Sequence, residues 1–110
     1  MTEDQTARIR ALNDRLRRTG VGGHIVVTTG VTERGDGFVL SALALIAGFN
    51  DFAAGSDPYA EHDFGAFELL DAQVFWKIDY YDEDLMFGAE DASDEAKSRR
   101  ILTIMLANEY

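Results

Sequence analysis

Residues 73–81, near the middle of the chain, alternate in the manner of an extended strand. Successive side chains of a strand point to opposite faces of the sheet. One face would carry four apolar or aromatic residues, Val74, Trp76, Ile78 and Tyr80. The opposite face would be mixed, with Phe75, Lys77, Asp79 and Tyr81. This pattern predicts a strand that packs one face on helices and leaves the other partly solvated, as antiparallel sheets do.

The flanking sequence supplies further elements. Residues 66–70 predict a second strand, joined to the first by a tight turn at Asp71-Ala72. Thr2 and Gln5 have the spacing of a capping box, which predicts a helix over residues 3–19 that ends at Gly20. The β-branched run at residues 24–29 predicts a strand that can extend to Val31.

The remaining elements are two helices and a short strand. Residues 38–49 are almost continuously apolar and predict a helix buried on more than one face, with Asp36 as its N-cap. Residues 85–87 predict a short third strand of the central meander. Ser93 is the expected N-cap of a last helix, whose apolar face would contain Ile101, Leu102, Met105 and Leu106 and which would end near Asn108. The expected fold is α+β, with a small antiparallel sheet of three to four strands packed against three helices in one domain, residues 1–110.

Composition narrows the class of protein. The 110 residues include no cysteine, so disulfides and thiolate chemistry are not available, and we expect a cytoplasmic protein. The N-terminal residues lack the apolar core of a signal peptide. The longest apolar run, at residues 38–49, is shorter than the roughly 20 residues that cross a bilayer. We therefore expect no membrane association.

The negative charge is concentrated in the middle of the chain. The net charge is −10, but residues 35–92 carry one lysine against thirteen acids, which is −12, whereas residues 1–34 carry six basic and four acidic side chains. A surface of this kind repels phosphate backbones and attracts basic partners. Direct binding to nucleic acid is not expected, because that affinity depends on lysine and arginine.

Four segments of the chain resemble a family of short bacterial proteins of unknown function. They are Asp57-Pro58-Tyr59, Glu61-His62-Asp63-Phe64-Gly65, Phe75-Trp76-Lys77-Ile78-Asp79-Tyr80-Tyr81-Asp82 and Leu102-Thr103-Ile104-Met105-Leu106-Ala107. The resemblance extends to Leu12-Asn13-Asp14, while Gly35-Asp36-Gly37 departs from the more polar helix start of the relatives. It implies an accessory protein of phages or plasmids, and it implies no activity and no catalytic residues.

Glu61-His62-Asp63 is the first candidate for chemistry. A histidine beside carboxylates can act as a general base, yet neighbours in sequence do not share a face on a strand and no nucleophile is marked by a motif. We favour a role for His62 in ordering the loop. A metal-dependent hydrolase centred on His62, Asp63 and Asp79 remains the alternative function, since such ligands suit Mg²⁺ or Mn²⁺. No metal ligand, cofactor or catalytic residue is assigned from the sequence alone.

The leading hypothesis is a non-enzymatic module that binds a basic protein surface. Its most concrete form is an inhibitor from a mobile element, which would mimic nucleic acid and block an effector complex such as that of a CRISPR system. The expected partner-binding residues are acidic or aromatic: Asp57, Tyr59, Glu61, Asp63, Asp79, Tyr81, Asp82, Glu83 and Asp84. A self-associating structural protein is a third possibility, and the sequence does not predict an oligomeric state.

Overall fold

The structure, a computed structural model, describes residues 2–110. In chain order its elements are α1 (Glu3–Thr19), β1 (Gly23–Val27), the single-turn α2 (Thr29–Thr32), α3 (Asp36–Ala47), β2 (Phe64–Leu69), β3 (Ala72–Tyr81) and β4 (Arg99–Leu106). Two 3₁₀ turns, Glu95–Lys97 and Ala107–Glu109, flank β4. The predicted capping box is present, because the Thr2 side chain accepts from the Gln5 amide at 3.1 Å and the Gln5 side chain accepts from the Thr2 amide at 2.9 Å.

The four strands form one mixed sheet in the order β1-β4-β3-β2. β3 pairs in antiparallel fashion with both β2 and β4, placing Trp76 opposite Gly65 and Ile104. β1 runs parallel to β4. The prediction of an α+β fold is confirmed, although one of the three strand pairings is parallel.

The alternation along β3 is as predicted. Val74, Trp76 and Ile78 are buried beneath the helices, and Trp76 is fully enclosed. Leu102 and Ile104 of β4 continue this layer, which packs on apolar side chains of α1 and α3. Among residues 2–110, no helix is both long and apolar enough to cross a membrane.

The predicted C-terminal helix is wrong, because residues 99–106 form β4. Leu102 and Ile104 face the helices, while Ile101 and Thr103 face the opposite side. The segment lies between β1 and β3 and forms hydrogen-bonded ladders with both. These long-range pairings outweigh the apparent helical spacing of its apolar residues. Ser93 is therefore not a helix cap; its hydroxyl donates to Asp91 Oδ1 at 2.5 Å.

Four smaller predictions also fail. Residues 29–32 form α2 rather than the end of β1, and Gly35, not Asp36, is the N-cap of α3. Residues 85–87 are not a strand, since Leu85 has a φ of 59° and the chain forms only an isolated bridge between Tyr81 and Gly88. The outer side of α3 is exposed, contrary to the expectation that it is buried on more than one face.

Candidate functional site

The Asp57–Gly65 motif runs from the loop between α3 and β2 into the start of β2, and a buried carboxylate organises its loop part. Asp57 Oδ1 accepts hydrogen bonds from the amides of Glu61 at 3.0 Å and His62 at 3.2 Å. Ala60 and His62 have left-handed backbone conformations, with φ near 56° and 57°. A side chain that holds the intervening amides offsets the cost of these conformations. Asp57 is therefore a structural residue of the loop.

His62 joins this loop to α1. Its Nδ1 lies 3.0 Å from Asp14 Oδ1, and its ring stacks on Phe52 with centroids 3.8 Å apart. Its Nε2 lies 3.9 Å from Asp57 Oδ2. The buried Arg17 side chain also donates to Asp14. Its Nε lies 2.9 Å from Asp14 Oδ1, and its Nη1 lies 2.9 Å from the carbonyl oxygen of Phe49. His62 Nδ1 thus contacts a carboxylate of α1, while Nε2 lies near the loop carboxylate of Asp57 without a hydrogen bond to it.

A second buried network connects α1, the loop and the sheet. Asn13, which is fully buried, donates through Nδ2 to the Glu61 carbonyl at 3.0 Å and to the Tyr80 hydroxyl at 2.8 Å. The Tyr80 hydroxyl donates to Glu61 Oε1 at 2.7 Å. Burial raises the pKa of the Tyr80 phenol, and the hydrogen bond to Glu61 raises it further. Tyr80 therefore acts here as a neutral hydrogen-bond donor.

Arg100 completes this network from β4. Its Nε donates to Asn13 Oδ1 at 2.7 Å, and its Nη1 donates to Ser98 Oγ at 3.0 Å. Its guanidinium lies 4.9 Å from the centroid of the Tyr80 ring. Burial lowers the pKa of Arg100. A buried cation with this many hydrogen bonds fixes the position of α1 on the sheet.

The structure does not bring the predicted hydrolase residues into a common pocket. Asp79 Oδ2 pairs with Lys77 Nζ at 3.0 Å, on the face of the sheet away from the helices. The pKa of Asp63 is raised, first by burial of its carboxyl and then by the neighbouring charge of Glu61. Across residues 2–110, no group of three or more His, Asp or Glu side chains is arranged to hold a metal ion. His62, Asp63 and Asp79 therefore lack the shared geometry that metal-dependent hydrolysis requires.

Acidic side chains gather instead where β3 ends. Asp82 Oδ1 accepts from the amides of Asp84 at 3.1 Å and Met86 at 3.0 Å, and the Asp82 amide donates to the Phe87 carbonyl at 2.8 Å. These bonds fix a tight turn whose tip exposes Met86 and Phe87, at 72% and 71% of their surface. Such local hydrogen bonds define the backbone of an exposed turn without help from the core.

A cleft of about 580 Å³ opens beside this turn. Its lining contains four carboxylates, one aromatic ring, one glycine and a single lysine: Asp82, Glu83, Asp84, Glu90, Phe87, Gly88 and Lys97. We call these seven residues the acidic cleft. It combines an excess of negative charge with an exposed aromatic ring, two features that favour a cationic group.

The nine predicted partner-binding residues fall into four groups. Asp82, Glu83 and Asp84 line the acidic cleft. Asp63, Asp79 and Tyr81 are half-buried, and Tyr59 is exposed in the loop before β2. Asp57 and Glu61 are 7% exposed and bonded inside the protein, so their assignment to an exposed docking surface is wrong. The carboxylates at these two positions hold loop amides and Tyr80 rather than facing solvent.

Several structural and surface residues escaped sequence reasoning. Asn13 lies on the apolar face of α1, four residues after Ile9 and three before Leu16, and a polar residue in that position indicates a buried hydrogen bond. Arg100 carries no such signal, because the apolar spacing around it predicts a helix rather than β4. Phe87, Glu90 and Lys97 meet only through the fold of the chain after β3.

Comparison with known proteins identifies a family for this chain. A family model described as Protein of unknown function (DUF3768) matches residues 27–109. The chain belongs to this family. No curated protein and no solved structure matches the chain. The DUF3768 match confirms the predicted membership of a family of unknown function. It begins after Leu12-Asn13-Asp14, so the extension of the resemblance to that segment stays a prediction, as does the link to phages and plasmids.

Proposed function

We propose that this DUF3768 protein is a non-enzymatic binding module that docks its acidic cleft on a basic protein surface. The observation that carries the proposal is the cleft itself, where four carboxylates and Phe87 surround a concavity that contains one lysine. A partner arginine would stack its guanidinium on the Phe87 ring and pair with the surrounding carboxylates. The chain's net charge of −10 would speed the encounter with a basic partner.

The geometry around His62 favours binding over catalysis. The contact of His62 Nδ1 with Asp14 and the stacking of its ring on Phe52 support a role for this residue in holding the loop on α1. A catalytic histidine needs a nitrogen within reach of a reacting group. The turn at Asp82, which two amide hydrogen bonds to its carboxylate define, would instead present its acids and Phe87 to a partner with part of the ordering cost already met.

The proposed partner is a protein that itself binds nucleic acid. Carboxylates that surround a cationic groove can replace the phosphates that such a groove normally contacts. The most concrete version is a mobile-element inhibitor that occupies the nucleic-acid channel of an effector complex such as that of a CRISPR system. Inhibition would then be competitive with the nucleic acid, which a displacement assay on a purified effector complex measures directly.

A charge-matched pair of triple variants tests the cleft. Glu83→Gln/Asp84→Asn/Glu90→Gln removes three charges from the acidic cleft. Glu3→Gln/Glu33→Gln/Glu68→Gln removes three exposed charges elsewhere. With a fluorescent nona-arginine peptide as the probe, we expect the cleft variant to bind about tenfold more weakly or worse, and the control to change little.

Salt dependence and the control together decide the outcome. Binding at the cleft should weaken steeply as salt rises, because exposed charges are screened. If both triple variants lose affinity equally, the peptide senses only the total charge and the docking site does not exist. Affinity that is unchanged between low and high salt would also contradict the proposal.

A further inference from the structure

The edge of the sheet at β1 lacks the features that usually protect an edge strand. β1 lies at one end of the order β1-β4-β3-β2, so only one of its sides is paired with another strand. Residues 19–32 contain no Asp, Glu, Lys or Arg and no proline, in a protein of which 27% is charged. Charged side chains and prolines are among the means by which an edge avoids further pairing. The opposite edge has one of them, because the exposed Glu68 lies within β2.

The peptide groups of β1 point alternately toward β4 and away from it. The Thr28 amide donates to the Ile104 carbonyl at 3.0 Å, which fixes this alternation. Val26 therefore also faces β4, while Ile25 and Val27 direct their N–H and C=O groups to the open side. Within residues 2–110 the amides of Ile25 and Val27 donate to no backbone group outside the sheet. A row of free donors and acceptors of this kind recognises an extended backbone.

The side chains beside this edge are apolar on both faces of the sheet. Ile25 packs against the core on the helix side, and Val27 lies on the same side and is 37% exposed. Val26 lies on the opposite face and is 43% exposed. An added strand would place its side chains next to both valines, so an uncharged segment rich in β-branched residues fits this edge.

The acidic cleft lies at the same end of the sheet as the start of β1. Tyr81, the last residue of β3, is level with Arg99, and Gly23, the first residue of β1, is level with Arg100. β1 and β3 flank β4 and are therefore about 10 Å apart. A partner protein held at the acidic cleft has the edge of β1 within reach. A second copy is the weaker candidate, because two chains that each carry a net charge of −10 repel each other.

We propose that the edge of β1 binds an extended, uncharged segment of the partner protein, which joins the sheet as a fifth strand. Backbone hydrogen bonds to Ile25 and Val27 would hold the segment, and Val26 would contact its alternate side chains. The inference rests on the proposed function for the first attachment of the partner at the acidic cleft. β1 has five residues and offers few hydrogen bonds, so its edge adds to the affinity of the cleft and does not replace it.

Fluorescence anisotropy with three matched peptides tests this edge. The probe is a Thr-Val-Thr-Val-Thr strand joined through a glycine-serine linker to nona-arginine. The first control is the same peptide with every strand amide N-methylated, and the second is nona-arginine alone. We expect the unmodified probe to bind about tenfold more tightly than either control, because N-methylation removes the donors that the edge requires.

The three affinities separate this inference from the proposed function. Equal affinity of all three peptides would overturn the strand addition and leave the acidic cleft intact. If nona-arginine does not bind but the unmodified probe still binds more tightly than its N-methylated control, the proposed function fails and the edge of β1 stands. If no peptide binds, both fail.

A pair of charge variants locates the bound strand. Val26→Lys places a charge beside the edge, and Leu40→Lys places the same charge on α3, where Leu40 is 67% exposed. Lysine in an edge strand opposes pairing. We expect Val26→Lys to abolish the difference of about tenfold between the unmodified and N-methylated peptides, and Leu40→Lys to preserve it. Equal behaviour of the two variants would contradict the proposal, and circular dichroism melts establish that both fold.

Amide hydrogen exchange, followed by NMR, tests the geometry on the unaltered chain. With the unmodified probe bound, exchange should slow at Ile25 and Val27, whose amides face outward, and change little at Val26, which already faces β4. Slowing at β2 instead, or at neither edge, would overturn the proposal. If exchange at Ile25 and Val27 slows without any peptide as the protein concentration rises, a second copy occupies the edge and the proposal is again overturned.

Discussion

The Tyr80 hydroxyl lies 2.7 Å from Glu61 Oε1 and donates its hydrogen bond to that carboxylate. Tyr80 belongs to the sheet and Glu61 to the loop before β2, so this bond ties the two together. Asn13 on α1 donates to the same hydroxyl at 2.8 Å. Glu61, which the sequence places beside a candidate catalytic histidine, thus belongs to a buried hydrogen-bond network that joins α1, the loop and the sheet.

Removing the Tyr80 hydroxyl should destabilise the protein. Tyr80→Phe leaves the buried carboxylate of Glu61 without its donor and Asn13 without one acceptor, which costs about 1–3 kcal/mol. Urea unfolding measures this loss. Tyr81→Phe is the matched control, because the Tyr81 hydroxyl makes no hydrogen bond within residues 2–110. Equal free energies of unfolding for the two variants would contradict a stabilising role for the hydrogen bonds of Tyr80 with Glu61 and Asn13.

A methyl group at Gly65 should be poorly tolerated. A Cβ there would lie 2.3 Å from Trp76 Nε1 and 2.9 Å from a carbon of the Phe49 ring. Gly65→Ala should therefore cost about 1–3 kcal/mol through overpacking. Gly55→Ala, where a Cβ meets nothing within 4 Å, should be nearly neutral. Thermal melts of the pair would show the difference, and two equal melting temperatures would contradict the packing around Trp76.

Protonation of the Asp63 carboxyl should increase the stability of the folded protein as the pH falls into the acid range. Its pKa is raised in the folded state above the ordinary value of 3.8, so the folded protein holds the proton more tightly than the unfolded chain. The free energy of unfolding should then increase as the pH falls through the folded pKa and level off below 3.8. Asp63→Asn should remove this contribution and raise stability at neutral pH.

Glu83→Gln provides the control for Asp63, since Glu83 is an exposed acid of the turn after β3. Melting temperatures measured across the acid range should differ between wild type and Asp63→Asn but run parallel for wild type and Glu83→Gln. If Asp63→Asn lowers stability at neutral pH, burial and the neighbouring charge of Glu61 do not raise the pKa of this carboxyl in the folded protein.

Divalent metal ions should leave the melting temperature unchanged. A ligand that binds only the native state stabilises it by mass action. Within residues 2–110, however, His62, Asp63 and Asp79 do not converge as ligands. Melts with Mg²⁺, Mn²⁺ and Zn²⁺ should therefore match the melt in chelator. A rise with any of these ions that His62→Ala abolishes would restore the hydrolase alternative.

Local sequence patterns correctly predicted the elements that are specified by interactions between residues close in the chain. The capping box of Thr2 and Gln5 marks the start of α1, and the alternation around Trp76 marks β3, because each follows from neighbours along the chain. β4 was missed because the apolar residues near Leu102 fit both periods, and only its place between β1 and β3 decides. Long-range pairing of this kind leaves no local signal.

The sequence predicted the candidate site only in part, because the exposure of each acid depends on contacts that are distant in the chain. The excess of acids in the middle of the chain is a property of composition, and Asp82, Glu83 and Asp84 do reach the surface. The sequence could not distinguish these residues from Asp57 and Glu61, which are turned inward by amide and phenol donors. Only the folded chain shows which carboxylates are buried and which reach solvent.

The most direct test of the docking account is a titration of the ¹⁵N-labelled protein with the nona-arginine peptide, followed by NMR. We expect the largest amide shift changes at residues 82–90 and at Lys97, where the acidic cleft lies, with salt reversing them. Changes spread evenly over all exposed acids, or centred on the loop of Asp57, would contradict the account.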